Sequence, residues 1–248
     1  QGDEQRNLVN NLSDYLDGDN YSNNSITFVF WGINYLLQNP DVTYSQFKNW
    51  FLTPREGNDF IYDAAYWEDP NLSFPQQDLP SWEDFQAAYP TESSEYIYDA
   101  VGGELAQLKI NYPVLTRNGC ALKVSRALNY SGVIIPDIPG TFEGADGKFY
   151  FVNAKALDTW MKETFGTNPA TVTTPYNEKH YQYDSADGGV NGGNFKTLLS
   201  NKKGIYTMLP EDPAAFQASG HCDIFDGVKC KAGCYYPAAS EVNIWVLE

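Results

Sequence analysis

Histidine, cysteine and positive charge are scarce in this chain. Two His, four Cys and two Met stand among 248 residues, and 16 Lys and Arg face 32 Asp and Glu. The formal charge of −16 repels phosphate backbones, which excludes nucleic acid and anionic membrane surfaces as first partners. No apolar run is long enough for a membrane helix. The longest, Phe28 to Leu37, is about half of the roughly 20 residues required. No internal repeat is present. No Gly-Lys-Ser/Thr follows the glycine-rich stretch from Asp187 to Asn194, so that stretch reads as a flexible surface loop and not a phosphate cradle. The chain opens on Gln1, as expected of a processed chain or an excised piece whose targeting segment is out of view.

What is present suits a packed protein. Hydrophobic residues make up 42% and charged residues 19%, enough to build a core of one large domain or a main domain with a smaller companion. The first 25 residues are polar and read as loose. Residues 28 to about 67 hold Trp31, Tyr35, Trp50, Phe51, Tyr62, Tyr66 and Trp67. This block reads as a small core of large side chains, with a sugar-stacking platform as the alternative. Pro70, Pro75 and Pro80 mark a linker and the best candidate boundary between domains. Sequons at Asn11, Asn20, Asn23, Asn71 and Asn129 read as glycosylation acceptors or as chance matches in an Asn- and Ser-rich chain.

Beyond residue 80 the pattern changes. Trp82, Phe85 and Tyr89 lie at i, i+3 and i+7, which predicts a helix started by Ser81 and stopped at Pro90. Ala121, Val124 and Leu128 predict a second helix beginning near Cys120 and ending at Gly132. A further helix is expected around Leu157 to Phe165. Strands are expected at 149–152, 204–209, 221–225 and 241–247, with Asp226-Gly227 as a hairpin signal after the third. Early helices followed by late antiparallel strands give an α+β layout.

The few chemistry-bearing residues fall inside this frame. Cys120 sits where a helix begins, so unpaired N–H groups and the positive end of the helix dipole favour its thiolate. A buried small hydrophobe is the plainer reading of the same residue. His221 lies downstream on a strand, and a cysteine at a helix start facing a strand-borne histidine is the arrangement of papain-like amide hydrolases. His221, Cys222, Cys230 and Cys234 could count as a Cys3His zinc set. Against it, neighbouring strand residues point to opposite faces, and a Cys230–Cys234 disulfide is the rival reading. His180, in a Tyr- and Asp-rich polar stretch, reads as a solvated side chain.

Several ordered blocks resemble the type VI secretion amidase effectors of the fourth family. Residues 118–132, around Gly119-Cys120-Ala121, resemble the nucleophile helix, and residues 144–151 resemble the block after it. Residues 202–206 resemble a core strand, Gly220-His221 the histidine strand, Cys230 to Cys234 the paired-cysteine loop, and residues 244–247 the closing strand. The resemblance covers about residues 80–248 and leaves 1–79 as an N-terminal accessory segment. It implies an α+β, papain-like (NlpC-like) fold with the nucleophile helix packed on an antiparallel sheet. It implies a cysteine amidase that cuts the γ-D-glutamyl–meso-diaminopimelate amide of peptidoglycan stem peptides. Such an effector is secreted or delivered into a rival bacterium's periplasm and is restrained in the producer by a cognate immunity protein. Carried over by position, Cys120 is the nucleophile, His221 the general base and acid, and Cys230 with Cys234 the disulfide; no metal or organic cofactor is needed. The backbone N–H of Cys120 is then the expected first oxyanion donor. One departure stands out. The family places an Asp between the paired cysteines, and Ala232 is found here. Asp223 shares a strand face with His221 and is the expected replacement, Asp226 pointing the other way. A non-catalytic wall-binding or partner-binding protein on the same fold is the alternative.

Overall fold

The computed structural model describes residues 10, 12, 23–53, 57–60 and 62–248. Six helices give the frame: Asn23–Gln38 (α1), Trp82–Ala88 (α2), Ser94–Val101 (α3), Glu104–Asn111 (α4), Cys120–Tyr130 (α5) and Ala154–Phe165 (α6). Shorter helical turns fill the connections. Local chemistry sets these ends. The Ser81 side chain accepts the Asp84 N–H ahead of α2, and that of Asn153 accepts the Ala156 N–H ahead of α6, each satisfying a donor the first turn leaves open. Helix α5 ends at Tyr130, and Gly132 at φ +96° turns the chain away.

Thr141–Glu143 (β1) and Phe149–Phe151 (β2) form a short hairpin. His180–Asp184 (β3), Lys203–Pro210 (β4), His221–Asp226 (β5) and Ala239–Val246 (β6) form an antiparallel sheet of order β3-β6-β4-β5. Strand β4 is central: Ile205 lies opposite both Ile224 of β5 and Trp245 of β6. After β5, Gly227 at φ +95° allows a tight turn in which Asp226 Oδ1 accepts the Val228 and Lys229 N–H groups. The return is a single bridge between Phe225 and Cys230.

The period of two splits the sheet between two cores. Ile205, Cys222, Ile224 and Trp245 cluster with α5 and α6 through Leu128, Leu157 and Trp160. Tyr206, Met208, Phe225, Val242 and Ile244 cluster instead with Val29, Tyr35, Phe47 and Trp50 from the N-terminal part. The aromatic block is therefore core. Phe47 and Trp50 are almost wholly buried, and each such side chain contributes roughly 2–3 kcal/mol on transfer from water. A smaller cluster joins α3 and α4 to Leu122, Tyr150 and Val152.

Three segments differ from their expected character. The glycine-rich stretch is a set of tight turns and not a loose loop. Gly192, at φ +72°, lies where a Cβ would come within 2.6 Å of Tyr236 O, and Gly193 lies under Trp31 and Tyr35 of α1. The missing side chains let the N-terminal helix sit close. The proline-marked stretch is docked: Gln77 exchanges two 2.8 Å hydrogen bonds with the backbone of Ile134, and Leu72, Phe74 and Leu79 pack on the α5–α6 core. Asn129 is buried and donates to Phe149 O at 2.7 Å, so its sequon is not an acceptor in the folded chain. The expected loose start falls almost wholly outside the described residues, as do Asn11 and Asn20.

Candidate active site

Cys120 is the first residue of α5 and is 3% exposed. Gly119 at the N-cap supplies no side-chain bond. Capping comes from one residue further back: Asn118 Oδ1 accepts the Cys120 N–H at 3.2 Å. The N–H expected to serve as an oxyanion donor is thus engaged, which the sequence did not reveal. Asn118 is itself fixed, its backbone oxygen accepting from Tyr98 Oη at 2.9 Å and its Nδ2 donating to Gly57 O at 3.3 Å. Helix α5 packs across β5, and the Arg126 guanidinium ties it to Ala88 O at the end of α2.

His221 opens β5 and is 1% exposed, with its ring edge-on to Tyr235 at a centroid distance of 4.8 Å. Asp223 Oδ2 lies 3.7 Å from His221 Nε2. Asp223 is fully buried and is held by three neutral donors. Its Oδ1 accepts Tyr89 Oη at 2.6 Å and the Ile224 N–H at 2.8 Å, and its Oδ2 accepts the Ala232 N–H at 2.7 Å. These bonds replace the water that a buried carboxylate loses. Tyr89, read from sequence only as part of an apolar helix face, is thus a polar support of the site. Asp226 serves the hairpin turn instead.

Cys230 and Cys234 are bonded to each other. Cys222 belongs to the core on the α5–α6 side, whereas the paired cysteines belong to the other, so these residues do not converge on one ion. The disulfide loop is gripped from the far end of the chain. Asn49 Nδ2 donates to Cys230 O at 2.9 Å, Asn49 Oδ1 accepts the Cys230 N–H at 3.2 Å, and Asn49 O accepts the Cys234 N–H at 3.0 Å. Ala232 reaches the site through its backbone, where the family pattern uses a side chain.

His180 is not solvated. It is fully buried on β3 against Trp245, at a centroid distance of 4.7 Å. Its Nδ1 accepts the Asn168 N–H at 3.0 Å, so the proton resides on Nε2, which donates to Asn243 Oδ1 at 3.2 Å. Desolvation lowers its pKa to about 4. A histidine so held is neutral and structural.

Residues 116–246 match the family described as type VI secretion system (T6SS) amidase effector protein 4, Tae4. That span is more than half of the chain. The protein belongs to the Tae4 family. Tae4 proteins are peptidoglycan amidases delivered by type VI secretion, which sets the activity class of this chain. Solved structures share the fold at low identity. The Tae4 of the Tae4–Tai4 effector–immunity complex from Salmonella Typhimurium is 20% identical, covers 68% of this chain and 99% of its own, and superposes with a TM-score of 0.54. Tae4 from Enterobacter cloacae is 18% identical, with 71% and 100% coverage and a TM-score of 0.54. No curated protein matches the chain. This Tae4 member therefore has the papain-like α+β architecture implied by its ordered blocks. Among the described residues no helix is long and apolar enough to cross a membrane.

Proposed function

We propose that this Tae4 member hydrolyses the γ-D-glutamyl–meso-diaminopimelate amide with Cys120 as nucleophile, His221 as proton carrier and Asp223 as the positioning residue. The observation that carries the reading is the Asp223 carboxylate, braced by Tyr89, Ile224 and Ala232 and 3.7 Å from His221 Nε2, on a strand crossed by the Cys120 helix. The carboxylate favours the imidazolium, and the helix start favours the thiolate. The thiolate attacks the γ-carbonyl carbon, and the imidazolium gives its proton to the departing amine as the C–N bond breaks. Water, deprotonated by His221, then cleaves the thioester and frees the thiolate. For the Cys120 N–H to meet the oxyanion, it must exchange Asn118 Oδ1 for the substrate oxygen. In this reading the Ala232 departure is tolerated because the loop contributes an N–H to Asp223 and Asp223 supplies the charge.

Residues 80–248 form the catalytic unit of this reading and residues 1–79 its accessory segment. The periplasm of a target bacterium is the site of action, and a cognate immunity protein, as in the Tae4–Tai4 complexes, is the partner in the producing cell. Mass spectrometry of purified stem peptides is the direct test. The parent should release a diaminopimelate-containing fragment, and Cys120→Ser should release none; full cleavage by Cys120→Ser would sink the mechanism.

A further inference from the structure

Both reactive residues are sealed from solvent, Cys120 at 3% and His221 at 1% exposure. Gly57–Phe60 is bonded to the chain just ahead of both. Gly57 O accepts from Asn118, two positions ahead of Cys120. Asp59 Oδ1 accepts the Ser219 N–H at 3.0 Å, two positions ahead of His221, and Asp59 Oδ2 accepts from Ser219 Oγ. Asn153, at 1% exposure, donates Nδ2 to Asp59 Oδ2 at 3.3 Å and to Phe60 O at 2.5 Å. The backbone N–H of Ala154, at the start of α6, also acts on the Asp59 carboxyl. Burial pushes the Asp59 carboxyl up while the donors of Ser219 and Ala154 pull it down. Its charge is thus desolvated within a cradle of N–H and O–H groups.

A short segment that presents one carboxylate to such a cradle has the outline of a substrate. The γ-linked D-glutamyl residue carries a free α-carboxylate beside the amide to be cut. We propose that Gly57–Phe60 is a built-in pseudosubstrate, and that Ser219, Asn153 and the start of α6 form the subsite that receives the substrate's free carboxylate when the segment leaves. This rests on the Cys120–His221 reading above. An occupant tethered to its own site competes at high effective concentration, and the affinity for stem peptide falls by the fraction of molecules that are open.

The test uses the full chain carrying Asp59→Ala, with the isosteric Asp59→Asn as a second variant that keeps the packing. Losing the charge-assisted bonds should raise the open population, so iodoacetamide should alkylate Cys120 on the order of tenfold faster than in the parent. Cys222 should label no faster, and stem peptides should be cleaved faster. A stem peptide with its free glutamyl α-carboxylate should protect Cys120 of the variants, whereas the α-amidated peptide should not. Unchanged alkylation of Cys120 in both variants, or an equal rise at Cys222, overturns the closure. Equal protection by the acid and amide peptides overturns the subsite. Faster alkylation with selective protection but no hydrolysis upholds the segment and its cradle, and defeats the amidase mechanism instead.

Discussion

His180 and His221 are the two histidines of the chain, both are sealed in the sheet, and they are held in opposite ways. Each nitrogen of His180 meets a neutral partner, one backbone N–H and one amide oxygen. His221 Nε2 faces a carboxylate. Burial favours the neutral imidazole in both places. Around His180 the Lys162 ammonium works with burial and against Glu241, whereas at His221 a carboxylate faces the ring nitrogen itself. The comparison teaches that burial is no guide to a histidine's role, and that the chemistry of its nearest partner is.

The sharpest way to break this comparison is to replace each ring. His221→Ala should lower kcat for stem-peptide hydrolysis by about 10⁴ or more. His180→Asn should keep kcat within a few-fold and lower the unfolding midpoint instead. If both variants lose catalysis alike with intact folds, the division of roles fails.

The next effect isolates the partner of His221. Asp223→Asn keeps the size of the side chain and removes the charge, and should reduce kcat by about 10²–10⁴, with little change in KM. Adding Ala232→Asp to an Asp223→Ala background should restore part of the loss, because it returns a carboxylate to the loop beside the histidine. An Asp223→Asn variant with parental kcat would remove Asp223 from the mechanism.

The smallest effect concerns His180. Its folded pKa of about 4 lies below the ordinary 6.5, so below pH 6.5 the unfolded chain gains a proton that the folded chain refuses. The stabilisation is complete above pH 6.5 and is lost as pH falls from 6.5 to 4. It amounts to about 2 kcal/mol by pH 5. Urea unfolding of the parent and His180→Asn at pH 7.5 and pH 5 should show this slope in the parent only; equal slopes would show that His180 does not contribute it.

The parts of this molecule that were legible in sequence are those governed by neighbours along the chain. Trp82, Phe85 and Tyr89 with a Ser81 cap announced α2, and the alternation in 204–209 and 241–247 announced β4 and β6. The helix start at Cys120 and the strand start at His221 followed from the same local rules. What escaped depends on distant contacts. His180 reads as polar because Tyr181 and Asp184 flank it, while Trp245 and Asn243, its actual surroundings, lie some sixty positions away. Asn118 opened the block resembling the nucleophile helix but carried no role of its own, and its grip on the Cys120 N–H requires a particular backbone turn. The glycines of 187–194 suggested freedom, but they leave room for Trp31 and Tyr35. Tyr89 gave no sign that its hydroxyl would meet Asp223 from 134 positions away.

The grip of Asn49 on the disulfide loop bears on the order in which the chain folds. The Asn49–Cys230 bonds join residues 181 positions apart, whereas the disulfide joins residues only 4 apart. A contact of that span returns nothing until a very large loop has been closed, so it belongs to the slow, late end of folding. The paired cysteines can meet as soon as their own short stretch is exposed to an oxidant. A chain that emerges on the far side of a secretion machine can therefore form its covalent link before Asn49 reaches it, and the segment around Asn49 arrives last on a loop already fixed in shape.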